Sequence, residues 1–383
     1  MSGLCLLVYD EGYLKYDFGA AHSMRQERIK LARELISGLG ILRNSNVREL
    51  PAELVEEEIL LIHSEDYVEA VKSSGRDPEG VGWSYMQYGL GTMDNPVFPE
   101  MYEASALHVG GTLKATRNVL AGETVHAFNL GGGFHHASRS RASGFCIFND
   151  VAIAIKDLLE EGVRRVLYVD VDAHHGDGVQ YAFYSEPRVM TISLHEDGRY
   201  LFPGTGFVRE LGEGEGEGYS VNVPLPPYTD DEAYQGAFQE VVLPLADAYE
   251  PEVLVTQLGV DTHFQDPLTH LNLTTGAYRR IAEEFHRLAH SLCDGKWVAT
   301  GGGGYDPSAV ARSWTLMFGG MAGWEVEDRI PKAWFSSYEA LMGRRAQVST
   351  LLDSEGPSKP GIRREVDRVI EEVKQVISSY HSL

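Results

Sequence analysis

Almost every apolar run in this chain is short, rich in β-formers and closed by a polar or glycine-rich cluster. The runs are residues 4–9, 125–130, 166–171, 189–194, 253–258 and 296–300. Between several of them lie segments of helical period, such as 150–161, 277–292 and 308–318. Strands that read as continuous apolar stretches and alternate with helices belong to parallel sheets buried on both faces. The expected fold class is therefore α/β, a single domain over residues 1–383 with an open, mainly parallel sheet flanked by helices. Two segments stand apart. Residues 212–218, GEGEGEG, read as a solvated turn. Residues 355–361 form a breaker, followed by Ile362, Val366, Val369, Ile370, Val373, Val376 and Ile377 at helical spacing. That pattern predicts a helix over 362–379 packed back on the domain, with a dimer contact as the less favoured use.

The polar ends of the runs carry the chemistry. In open parallel sheets, ligands bind outside the carboxyl ends of the strands. Four runs end in residues 131–136 (GGGFHH), 170–177 (DVDAHHGD), 259–261 (GVD) and 301–305 (GGGGY). These clusters are expected to converge on one crevice. Asp172 and His174 are two apart in an extended segment, so both side chains reach the same side. With Asp261 they make a three-ligand site of two carboxylates and one imidazole that leaves positions open. That is the pattern of a catalytic divalent ion such as Zn²⁺, carboxylate-rich enough to tolerate Fe²⁺ or Co²⁺. His135 and His136 suit a general base beside such an ion. Asp170 and Asp177 remain to orient the two rings. Tyr305, on a glycine-rich lead-in read as a flexible loop, is placed to donate to a developing oxyanion. Phe145 and Phe202 could wall a narrow apolar channel, although core packing is the favoured reading from the residues alone.

Together these residues resemble the histone deacetylase family, and within it the bacterial acetoin-utilisation deacetylases and deacetylase-like amidohydrolases. The motifs are GGGFHHA (131–137), SGFCIFND (143–150), YVDVDAHHGDGVQ (168–180), TISLH (191–195), FPGTG (202–206), QLGVDT (257–262) and GGGGY (301–305), in the family's order. The resemblance implies an arginase/deacetylase fold and hydrolysis of N6-acetyl-lysine in proteins or peptides. It implies Asp172, His174 and Asp261 as zinc ligands. His135 and His136 become base and acid, backed by Asp170 and Asp177, and Tyr305 polarises the carbonyl. It further implies a substrate tunnel of Gly144, Phe145 and Phe202, a rim position at Leu268 and a rim carboxylate at Asp94. A structural K⁺ at Asp170, Asp172, His174, Ser193 and Leu194 also follows from it. Leu268 stands where an acetylpolyamine-selective branch carries glutamate, which weighs against that substrate.

Composition bounds the partners. Lys and Arg number 33 against 56 Asp and Glu, a formal charge of −23, which disfavours nucleic acid. That surplus favours solubility first and attraction of cationic partners second. No apolar stretch has the roughly 20 residues of a membrane helix, and the start has no signal-peptide pattern. Three cysteines without a CxxC pair fit a reducing cytoplasm. Oligomeric state is not indicated. Three rivals remain: an arginase-type two-metal hydrolase, a deacylase of small acetylated amines or longer acyl chains, and a non-catalytic acyl-lysine-binding module. The first would want carboxylates at positions 176 and 259, where this chain has glycine.

Overall fold

The computed structural model describes residues 4–80 and 82–381. Eight strands form one sheet: β1 (Cys5–Val8), β2 (Val47–Leu50), β3 (His126–Asn129), β4 (Val166–Asp170), β5 (Val189–Glu196), β6 (Ser220–Leu225), β7 (Val253–Gln257) and β8 (Trp297–Thr300). Their order is β2-β1-β3-β8-β7-β4-β5-β6, and every pairing is parallel. The helices are α1 (Glu27–Gly38), α2 (Glu65–Arg76), α3 (Met101–Leu120), α4 (Asp150–Glu160), α5 (Asp177–Ala182), α6 (Asp231–Ala237), α7 (Leu243–Tyr249), α8 (Thr275–Leu292), α9 (Pro307–Met321), α10 (Lys332–Met342) and α11 (Ile362–Ile377).

Helices cover both faces, as a parallel sheet with buried central strands requires. The alternation along β3 shows how. Phe128 meets Trp314 and Phe318 of α9. Its neighbour Asn129 points the other way and donates to the carbonyl of His108 and to Thr112 Oγ1 on α3. One face therefore carries α9, with α1 and α8 packed on it, and the other carries α3 backed by α4. The helix Ile362–Ile377 lies against α6 and β6 and ends two residues short of the expected 379.

Two strands escape the sequence reading, which finds only six. Both are edges. β2 is half-exposed and carries Arg48 and Glu49, the charges that protect an unpaired edge. β6 holds Asn222 and Pro224, and a proline is tolerated only where no ladder hydrogen bond is owed. The turn 212–218 is less solvated than expected: Gly216 is buried against the Tyr184–Glu186 backbone, within a short 3₁₀ turn over Gly214–Gly216.

The four strands whose carboxyl ends bear the polar clusters are β3, β8, β7 and β4, which are consecutive neighbours in the sheet. Residues more than a hundred positions apart in sequence are brought to one crevice by that order.

Candidate active site

Asp172, His174 and Asp261 converge at the centre of the crevice. His174 Nδ1 lies 3.1 Å from Asp172 Oδ1 and 2.9 Å from Asp261 Oδ2. All three are buried, and their donor atoms fall within 4.8 Å of one another. The donor set fits a divalent cation. Burial, then the adjacent Asp172 charge, pushes the Asp261 carboxyl up to about 7. Two carboxylates facing each other in low dielectric are relieved by a positive ion between them.

His135 and His136 stand beside this group, each on its own carboxylate. His135 Nδ1 donates to Asp170 Oδ2 at 2.7 Å, and His136 Nδ1 donates to Asp177 Oδ1 at 2.7 Å. With both Nδ1 atoms donating, the facing Nε2 atoms, 3.0 Å apart, hold one proton between them. Burial works against charge on both rings. At His135 the carboxylates of Asp170, Asp172 and Asp177 overcome it and raise the pKa to about 9. At His136 burial and the His135 charge win, and the pKa is lowered. The two rings therefore differ in proton affinity, His135 holding a proton more readily than His136.

Tyr305 closes the other side. Burial, then Asp261 and Asp172, drives its phenol well above the usual value, so it remains a neutral donor. The loop before it is not loose, contrary to the expectation from four glycines. Gly303 N–H donates to Asp172 Oδ2 at 2.8 Å, Tyr305 N–H to Asp266 Oδ2 at 2.7 Å, and Gly304 carbonyl accepts from Arg28 Nη1 at 2.8 Å. Glycine is required at 303 because a Cβ there would sit 2.1 Å from Asp261 Oδ2.

One cavity of about 230 Å³ leads to this centre. Gly144, Phe145, Phe202, Leu268 and Asp94 line it, and His136, His174 and Tyr305 line it too. Phe202 packs edge-on to His136 at 5.0 Å, and Phe145 edge-on to Tyr305 at 5.6 Å. A Cβ at position 144 would strike both His136 and Phe202. The two rings are thus cavity walls, not the core packing that residue type alone favours. Asp94 is exposed. Among the remaining expected positions, Asp170 and Ser193 are register partners across β4 and β5, and Leu194 follows on β5.

The arginase-type alternative meets a steric objection. A Cβ at Gly176 would lie 2.3 Å from Asp170 Oδ2, and one at Gly259 2.2 Å from Asp172 Oδ2. Carboxylates for a second ion cannot be housed at either place.

Several supporting residues receive no role from the sequence, although Asn149, Asp150 and Gln257 lie within the motifs at 143–150 and 257–262. Asn149 caps α4 and donates to the carbonyls of His135 and Ala137. Asp150 accepts from Gly133 and Phe134 N–H and from Thr112. These two polar residues opening an apolar helix hold the histidine loop, and their position before that helix was the available signal. Gln257 donates to Asp172 Oδ2 at 2.7 Å. Arg28, fully buried, lies with Tyr305, His135 and Gly303 around a smaller cavity next to the site. Nothing in its local sequence, an amphipathic helix start, marks it.

Comparison with known proteins agrees with this fold. A profile described as histone deacetylase domain matches residues 22–321. Acetoin utilization protein AcuC of Bacillus subtilis (strain 168) is 45% identical over 337 residues, 87% of this chain and 86% of that protein. AcuC of Staphylococcus xylosus is 34% identical over 374 residues, 97% of each. The crystal structure of an HDAC homolog from Aquifex aeolicus superposes with a TM-score of 0.86 at 32% identity, covering 97% of this chain and 100% of that one. An HDAC homolog complexed with SAHA gives 0.87 at 32% identity with the same coverage.

Proposed function

The chain belongs to the histone deacetylase family, and we propose that it hydrolyses the amide of N6-acetyl-lysine in proteins or peptides, releasing acetate, with a bound divalent ion. The observation that carries this reading is the cavity that runs between two aromatic walls and ends on His136, His174 and Tyr305. A long aliphatic chain with one polar amide at its tip matches apolar walls around a polar floor.

Asp172, His174 and Asp261 would hold the ion, Zn²⁺ first and Fe²⁺ or Co²⁺ as the carboxylate-tolerant options. When bound, it supplies Lewis acidity to the acyl oxygen and to a water. The chain's own residues do the rest. The His135–His136 pair takes the water's proton at Nε2 and returns a proton to the departing lysine amine. Asp170 and Asp177 keep both rings in the tautomer that allows this. The Tyr305 hydroxyl donates to the acyl oxygen as negative charge develops. Phe145 and Phe202 exclude water around the chain, Gly144 leaves room between them, and Leu268 and Asp94 meet the substrate backbone at the mouth. A K⁺ at Asp170, Asp172, His174, Ser193 and Leu194 would brace the β4–β5 end. The same reading takes residues 1–383 as one deacetylase domain that includes the C-terminal helix, working in the cytoplasm.

The test is acetate release from an acetyl-lysine peptide before and after chelation, with restoration by Zn²⁺. Release that survives complete metal removal overturns the metal role. Peptide binding without release leaves the non-catalytic module. Faster turnover of acetylpolyamine than of peptide moves the substrate to small amines.

A further inference from the structure

A second set of nitrogen donors sits at the opposite, amino-terminal end of the strands. His126 opens β3 and shares the face of Phe128, toward α8 and α9. His286 and His290 lie on α8 one turn apart, so they project from the same side of that helix. The three rings form a triangle, with centroids 4.8 Å (His126–His286), 5.0 Å (His126–His290) and 4.6 Å (His286–His290) apart. One ring nitrogen from each residue lies within 4.8 Å of the others.

The hydrogen bonding of this triangle is unusual. His126 is 2% exposed, yet neither of its ring nitrogens makes a well-formed hydrogen bond, with only the Val125 and Gly295 carbonyls near by. His286 Nδ1 is also buried and unpaired. Elsewhere, His135, His136, His174, His263 and His270 each bond a carboxylate, and His63, His108, His175 and His195 each bond a carbonyl, hydroxyl or amide oxygen. No carboxylate contacts these three among the described residues. A neutral imidazole carries one donor and one acceptor, and burying both unpaired is costly unless something else takes the lone pair. Neutral imidazole is the form that ligates.

We propose that His126, His286 and His290 form a second metal site, which takes a borderline-soft divalent transition ion of the Zn²⁺ and Cu²⁺ class. Imidazole is the preferred donor for these ions. Zinc–nitrogen bonds of about 2.0–2.1 Å put tetrahedral ligands roughly 3.4 Å apart. Side-chain rotation on α8 closes the present spacing, since His290 is exposed and His286 only half-buried. Three ligands leave a fourth position to water on the exposed side. The ion would clip the end of α8 to the start of β3, away from the strand ends where the substrate reacts. Its role is to tie helix to sheet, with no part in hydrolysis.

The test compares the full-length wild type with His286→Asn/His290→Asn, both equilibrated with Zn²⁺ and freed of loose ion. The variant should hold one zinc equivalent fewer per chain and keep wild-type deacetylase activity. That difference does not depend on whether the Asp172 site is loaded. Equal zinc content in the two proteins overturns the proposal. Should the double variant not fold, the single variant His290→Asn, altered at an exposed ring, takes its place. Electron paramagnetic resonance with Cu²⁺ adds an independent readout. This site should give a three-nitrogen hyperfine pattern that the variant loses, whereas the Asp172–His174–Asp261 site offers one nitrogen. A wild-type spectrum without the three-nitrogen species also overturns the assignment.

Discussion

At the scale of single residues, burial and neighbouring carboxylates together set the charge of each polar group in the crevice. Asp170 and Asp177 each fix one imidazole, and the phenol at Tyr305 stays protonated because burial, and then the carboxylates of Asp261, Asp172 and Asp266, disfavour its anion. Tyr305→Phe removes a donor and no packing volume. It should lower turnover of an acetyl-lysine peptide by about 10²–10³ while leaving the unfolding midpoint unchanged. Near-full activity in that variant would remove the oxyanion role. Residue type and spacing were enough to find Asp172, His174, Asp261, His135, His136 and Tyr305, because metal and proton chemistry restrict the side chains that can serve. They were not enough for Asn149, Asp150, Gln257 and Arg28. Those residues act through the backbone and carboxylates of others, and a polar residue that holds a loop looks in sequence like any helix cap or surface charge.

At the scale of elements, buried polar ties decide what stays rigid. Asp353 follows α10 and binds three separate segments: Arg312 Nη1 on α9 at 2.7 Å, His263 Nε2 at 2.9 Å, and the N–H of Thr275 at the start of α8 at 2.9 Å. Arg312 is 1% exposed, so it cannot turn to water when that partner is lost. Asp353→Asn should cost about 3–5 kcal/mol in urea unfolding, since it leaves a buried guanidinium uncompensated. A loss below about 1 kcal/mol would mean that water replaces the carboxylate. His263 and Arg312 hold the Asp353 carboxyl far below its usual range. Its contribution is therefore complete above the unfolded value of about 3.9 and is lost as pH falls through the folded one. Element prediction itself succeeded where strands were buried on both faces and failed at the sheet edges. Helix α3 carries Gly110 and Gly111 in its middle, where they serve close approach, since a Cβ at 110 or 111 would overlap the Glu53 carbonyl or the Tyr13 hydroxyl.

At the scale of the whole molecule, the buried histidines and the net charge give two expectations. His63 and His108 are enclosed, and burial lowers both pKa values from 6.5 to about 4. The unfolded chain then binds their protons first as pH drops. Stability should be full above about pH 7 and decline between about 6.5 and 4, by up to about 3 kcal/mol per histidine. Thermal or urea unfolding measured across that window checks it, and a flat profile from pH 7 to 5 would contradict it. The charge of −23 should attract a cationic peptide, so kcat/KM should fall as ionic strength rises. A salt-independent kcat/KM leaves solubility as the use of the acidic surplus.

The pattern of apolar runs closed by polar clusters determined a parallel sheet with its chemistry at the strand ends. Burial on both faces admits no other alternation, and ligation and proton transfer admit few side chains. Which clusters meet was decided only by the strand order β3-β8-β7-β4, because adjacency in a sheet follows crossover geometry and not position in the chain. The tertiary structure also turned Phe145 and Phe202 from core candidates into cavity walls. It set His126 beside His286 and His290 across more than a hundred and fifty residues. Contacts of that kind exist only once helices have packed on the sheet, and no local period in the sequence encodes them.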